Sequence, residues 1–306
     1  MARDPFKLRR DFTLDLAFVE REVKRFLAED VGRGDVTSRR VVSKSARASA
    51  AIVARQACVV AGLPVVRAVF RAVDPAIVVA LKAEDGDAVA AGAVLAAVEG
   101  PAAPILTGER TALNLIQRLS GVATVTRRYV DAVAGTGVPV SDTRKTTPGL
   151  RILEKYAVHA GGGRNHRMGL FDAILIKDNH RAAAGGAAQA IAAARRAHGP
   201  VMPIQIEVDS LSDLRLVLDL GVDAVLLDNM PPALVAEAVR LARAHPHGRS
   251  CWIEASGGVT LETVRAYAEA GVDTVSVGAL THSAPAVDIA LDFDVPLEPD
   301  SEDEQP

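Results

Sequence analysis

Six short apolar segments between residues 138 and 277 each run into polar or glycine residues, and stretches of helical spacing separate them. Val138-Pro-Val140 leads into Asp142-Thr-Arg-Lys145, Ala173–Ile176 into Lys177-Asp-Asn-His180, and Ile204–Ile206 into Glu207-Val-Asp209. Ala224–Leu227 leads into Asp228-Asn229, Trp252-Ile253 into Glu254-Ala-Ser-Gly-Gly258, and Thr274–Val277 into Gly278. Strand and helix in alternation predict a parallel sheet. Polar residues gathered at the carboxyl ends of such strands are the arrangement in which an α/β barrel builds its site. An open doubly wound sheet would concentrate phosphate-binding glycines after its first strand. No such run follows Val140, so the expectation is a barrel of about six units.

The first third follows a different pattern. Leu14, Phe18, Val23, Phe26 and Leu27 fall near helical spacing and stop at Gly32-Arg-Gly34, which predicts an amphipathic helix. Short β-like runs follow at 51–54, 59–60, 77–79 and 94–95, punctuated by Pro64, Gly86 and Gly92. These describe a small α+β domain, placed at 1–115, ahead of a barrel domain at 116–283. A helix over 107–119 joins them, with Gly121 as its expected stop.

Charge narrows the function. The formal net charge is -3, yet Glu298, Asp300, Glu302, Asp303 and Glu304 all lie in a Pro- and acid-rich tail, 298–306, that reads as disordered. Within the barrel half, Arg144, Lys145, His166, Arg167 and Lys177 crowd into adjoining glycine-containing motifs. Dense local cation without a basic face suits a small, multiply charged anion better than nucleic acid. Arg144 and Arg167 can grip carboxylates bidentately, whereas Lys145 and Lys177 are point charges suited to phosphate. One such cation alone would more often be surface charge or half of an ion pair.

Glu207 and Asp228, each directly after an apolar strand core, are placed to hold Mg²⁺ brought in with a phosphate-bearing substrate; Asp228 or Asp209 could instead cap the following helix. Ser256-Gly257-Gly258 before a helix, with Gly278 after the next strand, can offer backbone amides to a phosphate; a plain βα turn has the same letters. Lys177 also admits a Schiff-base, aldolase-like reading. His245, His247 and His198 read as loop residues without a convincing partner. Cys58 and Cys251 sit in apolar surroundings without metal-ligand spacing, which fits a reduced, cytoplasmic setting. Neither a signal core nor a bilayer-length apolar run is legible; Ala182–Ala194 is short and broken by Gly185-Gly186.

Taken together, Glu29–Ser38, Gly108-Glu-Arg-Thr-Ala-Leu-Asn114, Asp142-Thr-Arg-Lys-Thr-Thr-Pro-Gly149, Gly163-Arg-Asn-His-Arg167, Ile176-Lys-Asp-Asn-His180 and Val277-Gly-Ala-Leu280 resemble the quinolinate phosphoribosyltransferase family over nearly the whole chain. The resemblance implies a small N-terminal α+β sandwich domain, an irregular open (β/α) barrel, and a segment at 284–297 returning to the N-terminal domain. It implies that quinolinate and phosphoribosyl pyrophosphate give nicotinate mononucleotide, pyrophosphate and CO₂ in NAD biosynthesis. Arg144, His166, Arg167 and Lys177 would meet quinolinate, with Arg110 reaching the site of the second subunit in a homodimer. Lys145, Asn179, Ser256, Gly257 and Gly278 would meet phosphoribosyl pyrophosphate, and Glu207 and Asp228 its Mg²⁺. Lys145, Lys177, Glu207 and Asp228 would carry the chemistry, without a redox cofactor. A related phosphoribosyltransferase associated with molybdate transport, and a non-catalytic anion sensor, are the alternatives weighed beside it.

Overall fold

The computed structural model describes residues 4–6, 12–199 and 202–294. The acidic tail expected at 298–306 and the last residues of the returning segment lie outside them. Two compact units divide the chain: Met1–Phe12 with Val125–Ala284, and Thr13–Thr124 with Pro285–Pro306.

In the second of these, β1 (Arg47–Ala54), β3 (Val78–Leu81), β5 (Val94–Pro101) and β12 (Ile289–Asp294) form an antiparallel sheet in the order β12-β1-β5-β3. The short strands β2 (Cys58–Val59) and β4 (Ala88–Val89) pair separately. Helix α1 (Leu16–Val31) packs on α3 (Leu63–Val73). Asp15 caps α1 by accepting from the Ala17 N–H, and Gly32 ends it in the left-handed region at φ 50°. The buried stripe of α1 is Val19, Val23 and Leu27, one residue every four. Phe18 and Phe26, expected on that stripe, are only half-buried and lie under the guanidinium groups of Arg21 and Arg25 at 5.0 and 4.7 Å.

The helix expected to stop at Gly121 does not stop. After the short α2 (Ser38–Val41), α4 runs from Ala102 to Ala132, 31 residues, and carries the chain across the boundary between the units. Gly121 is interior to it and serves a different purpose. A Cβ there would lie 2.0 Å from the Pro285 carbonyl oxygen, so glycine admits the returning chain against the helix. Gln117 accepts the Val287 N–H on its carbonyl and donates its side-chain amide to the Ile289 carbonyl, which seats β12 beside β1.

The other unit contains all six strands read from the sequence: β6 (Val140–Ser141), β7 (Ile174–Ile176), β8 (Ile204–Val208), β9 (Ala224–Asp228), β10 (Trp252–Ser256) and β11 (Thr274–Ser276). They are parallel throughout, in the order β6-β11-β10-β9-β8-β7. No pairing between β6 and β7 closes the sheet among the described residues, though Arg164 bridges to Ser141 beside β6. This is the open, irregular (β/α) arrangement expected. Its helices are α5 (Arg151–Ala160), α6 (Asp178–Ala184), α7 (Ala187–His198), α8 (Leu211–Asp219), α9 (Pro232–Ala244), α10 (Val264–Glu269) and α11 (Ala279–His282). Gly185 and Gly186, both at positive φ, separate α6 from α7 where the sequence marked the break. Strands β6, β8 and β11 are buried throughout and β9 and β10 up to their last residue, because helices cover parallel sheets, while the edge strand β7 is only half-buried over Ile174 and Leu175.

Candidate functional site: cations and acids at the strand ends

The carboxyl end of β6 delivers Asp142, Thr143, Arg144 and Lys145 in one stroke. Asp142 turns inward and is fully buried, where it forms an ion pair with Lys155 of α5. Its second oxygen accepts from Asn165 Nδ2 at 2.7 Å, and its first also takes the His166 N–H at 2.9 Å. Lys155 Nζ donates in addition to the His166 carbonyl at 3.2 Å. Burial pushes the Asp142 carboxyl up and the Lys155 ammonium down, each opposed by the other's charge. Helix α5, which the sequence reading did not single out, thus holds two loops at once. Glu154, also buried, accepts from the Thr147 N–H at 3.0 Å and the Thr147 hydroxyl at 2.7 Å. Arg151 donates to Thr146 Oγ1 at 3.0 Å and to the Met168 carbonyl at 3.2 Å.

Between those loops stand the two arginines. Arg144 and Arg167 are half-buried, and Arg167 donates to the Ala173 carbonyl at 3.1 Å. Burial and then the neighbouring Arg144 charge lower the Arg167 pKa, against the pull of Asp172 and Glu254.

Below Arg167 lies a second buried group. His166, 8 % exposed, places Nε2 3.1 Å from Glu254 Oε2 on β10. Glu254 also accepts from Gln205 Nε2 of β8 at 2.7 Å and from the Ser276 hydroxyl of β11. Burial alone would raise the Glu254 pKa, but His166 and these donors outweigh it and hold it below the ordinary carboxylate value. For His166 burial opposes a charge, while Glu254 and Asp142 favour one strongly enough to lift its pKa above the ordinary imidazole value. The contacts oppose that pull, because the Arg167 N–H points at Nδ1 from 2.7 Å and a second ring proton would meet it head-on. We assign the neutral ring with hydrogen on Nε2, since hydrogen-bond direction is the stricter constraint. His166 was expected to donate to substrate. In the structure both ring nitrogens are engaged within the protein.

Of the remaining predicted residues, all but Arg110 lie at or just beyond the strand ends of the parallel sheet. Lys177, at the end of β7, forms an ion pair with Glu207 of β8. Asp228, at the end of β9, has its carboxyl pushed up, first by burial and then by Glu207, against the pull of Lys177 and Lys145. Neither Glu207, Asp228 nor Asp209 caps a helix: Ser210 caps α8, and Pro231 precedes α9. Lys145 reaches across Gly278, where a Cβ would come within 2.9 Å of its Cδ. Gly257, at φ 90°, lies against Asn229, whose side-chain oxygen would be 2.2 Å from an added Cβ. Asn229 itself sits at φ 55°, takes the Ser256 carbonyl on its N–H at 2.9 Å and donates Nδ2 to Asp228 at 2.7 Å. The helix expected directly behind Ser256-Gly257-Gly258 begins only at Val264, because Thr260 and Thr263 hydrogen-bond each other in an intervening turn. Any anion at Ser256–Gly258 would meet the loop's own amides.

Asn179 is exposed in the first turn of α6, beyond Lys177. Arg110 belongs to α4 in the other unit, with its side chain 59 % exposed. Lys177 Nζ, the atom a Schiff base would need, is taken up by Glu207. His245, read as partnerless, bonds Asp219 at 3.0 Å. Cys58 and Cys251 are free and buried, and burial pushes the Cys251 thiol up to about 12. Glu154, Lys155, Gln205 and Ser276 were not singled out from the sequence, where they are single polar letters inside apolar strands or on a helix; Asp142, Asn165 and Glu254 stood within the quoted motifs and strand ends but were given no role there.

Two carboxylates on adjacent strands, with lysines beside them, fit an ion that completes its shell with substrate phosphate oxygens, as Mg²⁺ does. Among the described residues no group of three or more His, Cys, Asp or Glu side chains is arranged for a metal. Burial first and the Glu207 charge second raise the Asp228 carboxyl, and a divalent cation bound there would offset the second of these.

Fold and site together define an α/β enzyme class in which an anion-collecting site crowns the carboxyl ends of an open parallel barrel. Family models described as the N-terminal and C-terminal domains of quinolinate phosphoribosyl transferase match residues 35–120 and 122–292. A probable nicotinate-nucleotide pyrophosphorylase (carboxylating) of Bacillus subtilis is 44% identical over 270 residues, 88% of this chain and 91% of that one. The nicotinate-nucleotide pyrophosphorylase (carboxylating) of Mycobacterium leprae is 44% identical over 274 residues, 89% of this chain and 95% of that one. The crystal structure of NadC from Streptococcus pyogenes superposes with a TM-score of 0.87 at 36% identity, covering 93% of this chain and 99% of that one. The chain belongs to the quinolinate phosphoribosyltransferase family.

Proposed function

We propose that the protein transfers the phosphoribosyl group of phosphoribosyl pyrophosphate to quinolinate with decarboxylation, giving nicotinate mononucleotide, pyrophosphate and CO₂ for NAD synthesis. The observation that carries this reading is the pairing of Arg144 with Arg167, and of Lys177 and Lys145 with Glu207 and Asp228, in the parallel-sheet unit of a chain of this family. The molybdate-associated relative and the sensor are not favoured by relatives named for the carboxylating reaction.

Quinolinate carries two carboxylates. Arg144 and Arg167, close enough for the charge of one to act on the other, supply paired donors for them, and Lys177 adds a third charge. Lys145, Asn179, Ser256, Gly257 and Gly278 take the phosphate groups of phosphoribosyl pyrophosphate. Glu207 and Asp228 would hold Mg²⁺, which would supply positive charge to offset that of the departing pyrophosphate. Lysine charges at the rim favour the departing pyrophosphate, and charge grows on the ribose carbon as it leaves. The bound pyridine is oriented so that its nitrogen meets that carbon. Quaternised nitrogen then stabilises the carbanion left when the adjacent carboxylate departs as CO₂, and the ring carbon takes a proton.

Arg110, exposed on a unit apart from these residues, serves the site of a second subunit, so the working form is a homodimer. Two free, buried cysteines support a cytoplasmic setting, and among the described residues no helix is long and apolar enough to cross a membrane. Incubation of the protein with quinolinate, phosphoribosyl pyrophosphate and Mg²⁺ is expected to yield nicotinate mononucleotide by mass, with CO₂ released. Nicotinate in place of quinolinate is expected to give none. Turnover of nicotinate, or none of quinolinate by folded protein, would refute the assignment.

A further inference from the structure

We propose that Glu254 and His166 are positioning residues that act through the Arg167 backbone, and that His166 does not itself touch the substrate. This rests on the reading that Arg167 grips a quinolinate carboxylate. The chain of contacts is continuous. Glu254, 1 % exposed, is fixed from three sides by Gln205 of β8, Ser276 of β11 and His166. His166 passes that constraint on: with Nε2–H donated to Glu254, Nδ1 is left as the acceptor for the Arg167 N–H at 2.7 Å. The ring cannot rotate to meet a ligand without breaking both bonds. Phe6 stacks against it with centroids 6.0 Å apart and planes 27° apart, which restrains it further.

The same loop is clamped from its other side by Asp142, which takes the His166 N–H, and by Lys155, which holds the His166 carbonyl. Both peptide groups flanking the His166 Cα, and its ring, are therefore fixed. The guanidinium of the next residue projects from a backbone that has little freedom. Bidentate recognition of a carboxylate depends on such orientation, because a small rotation of the guanidinium plane breaks one of two parallel bonds.

Two substitutions separate positioning from direct contact. Asparagine places its amide where Nδ1 stands, so His166→Asn keeps an acceptor for the Arg167 N–H and loses reach to Glu254. Glutamine extends to where Nε2 stands, so His166→Gln keeps the bond to Glu254 and loses the Arg167 acceptor. We expect His166→Gln to weaken quinolinate binding, measured by calorimetry without turnover, at least about tenfold more than His166→Asn. The affinity for phosphoribosyl pyrophosphate should change less than about twofold in either. Equal losses, or a better-binding His166→Gln, would overturn the proposal, since a ring donating through Nε2 to substrate requires that order.

A second readout stands without any substrate. The ¹⁵N signals of the His166 ring in the wild-type chain should show Nδ1 without a proton and Nε2 with one, unchanged on adding quinolinate. A protonated Nδ1, or an Nε2 that exchanges its partner on adding quinolinate, would overturn it even if neither variant folds. Wild-type protein that fails to bind quinolinate while keeping this ring state would count against the proposed substrate and leave the contact relay standing.

Discussion

Arg144 and Arg167 rest on buried charge, whereas Lys145 and Lys177 stand at an open rim. Under the arginines, Asp142 and Lys155 are wholly enclosed, and Glu254 joins three strands through His166, Gln205 and Ser276. At the rim, Lys177 keeps 47 % of its side-chain surface exposed although it pairs with Glu207, and Lys145 lies across a glycine. Enclosed pairs are rigid and costly to break on one side; exposed pairs are adaptable and contribute little to stability. The difference suits the two proposed ligands. A flat aromatic diacid rewards fixed donors, while a phosphate-bearing sugar that arrives with a metal and leaves as pyrophosphate rewards charges that can follow it.

Lys155→Met should give the largest effect, because it leaves Asp142 charged, buried and short of a donor. Unfolding in urea should show a loss of about 3–5 kcal/mol. Lys177→Met should shift that midpoint by less than about 1 kcal/mol while turnover falls about 100-fold. A Lys177 variant as unstable as the Lys155 one would erase the contrast between the two regions. Mixing Lys177→Met with Arg110→Ala protein sharpens it further. If Arg110 serves the partner's site, exchanged dimers carry one intact site and recover roughly a quarter of full activity. No recovery after demonstrated exchange would place both residues in one subunit's site.

The smallest expected effect is a pH dependence at Asp228. Its folded pKa is raised, so the folded form holds its proton more tightly than the unfolded chain. The resulting stability is present below the ordinary value of 3.8 and is lost as pH rises through the raised one. Asp228→Asn should therefore melt with wild type in acid and slightly above it near neutrality, in the absence of ligands and metal. A gap that opens instead toward acid would show that burial and Glu207 do not raise the Asp228 carboxyl.

The strand ends were legible because apolar runs followed by charge carry both a period and a boundary. All six strands lie where those runs are, and the cations and acids expected at their ends are there. Glu254 and Gln205 were not legible as a pair. Each is one polar letter in an apolar strand, and only the register that sets Gln205 beside Ala224 and Glu254 beside Leu226 brings them to one interior. Lys155 was hidden for a related reason: on a helix, a lysine reads as solvent-facing until a buried partner is known. His166 was legible as part of the site, but not its direction, since a histidine's letter does not say which nitrogen is already committed.

Gly121 was misread because a glycine in a helical pattern has two meanings that local sequence does not separate, an end or a close approach. A methyl group at this position would push Pro285 and the strand after it away from α4. The strand displaced is β12, whose pairing from Ser49 to Ala54 covers the outer side of β1. Without it, β1 would present a row of free amide and carbonyl groups along an apolar ribbon, the surface by which unrelated chains zip together. A single hydrogen atom in place of a side chain on a helix thus guards the small sheet against self-association, and Gly121→Ala should aggregate more readily than the wild-type chain.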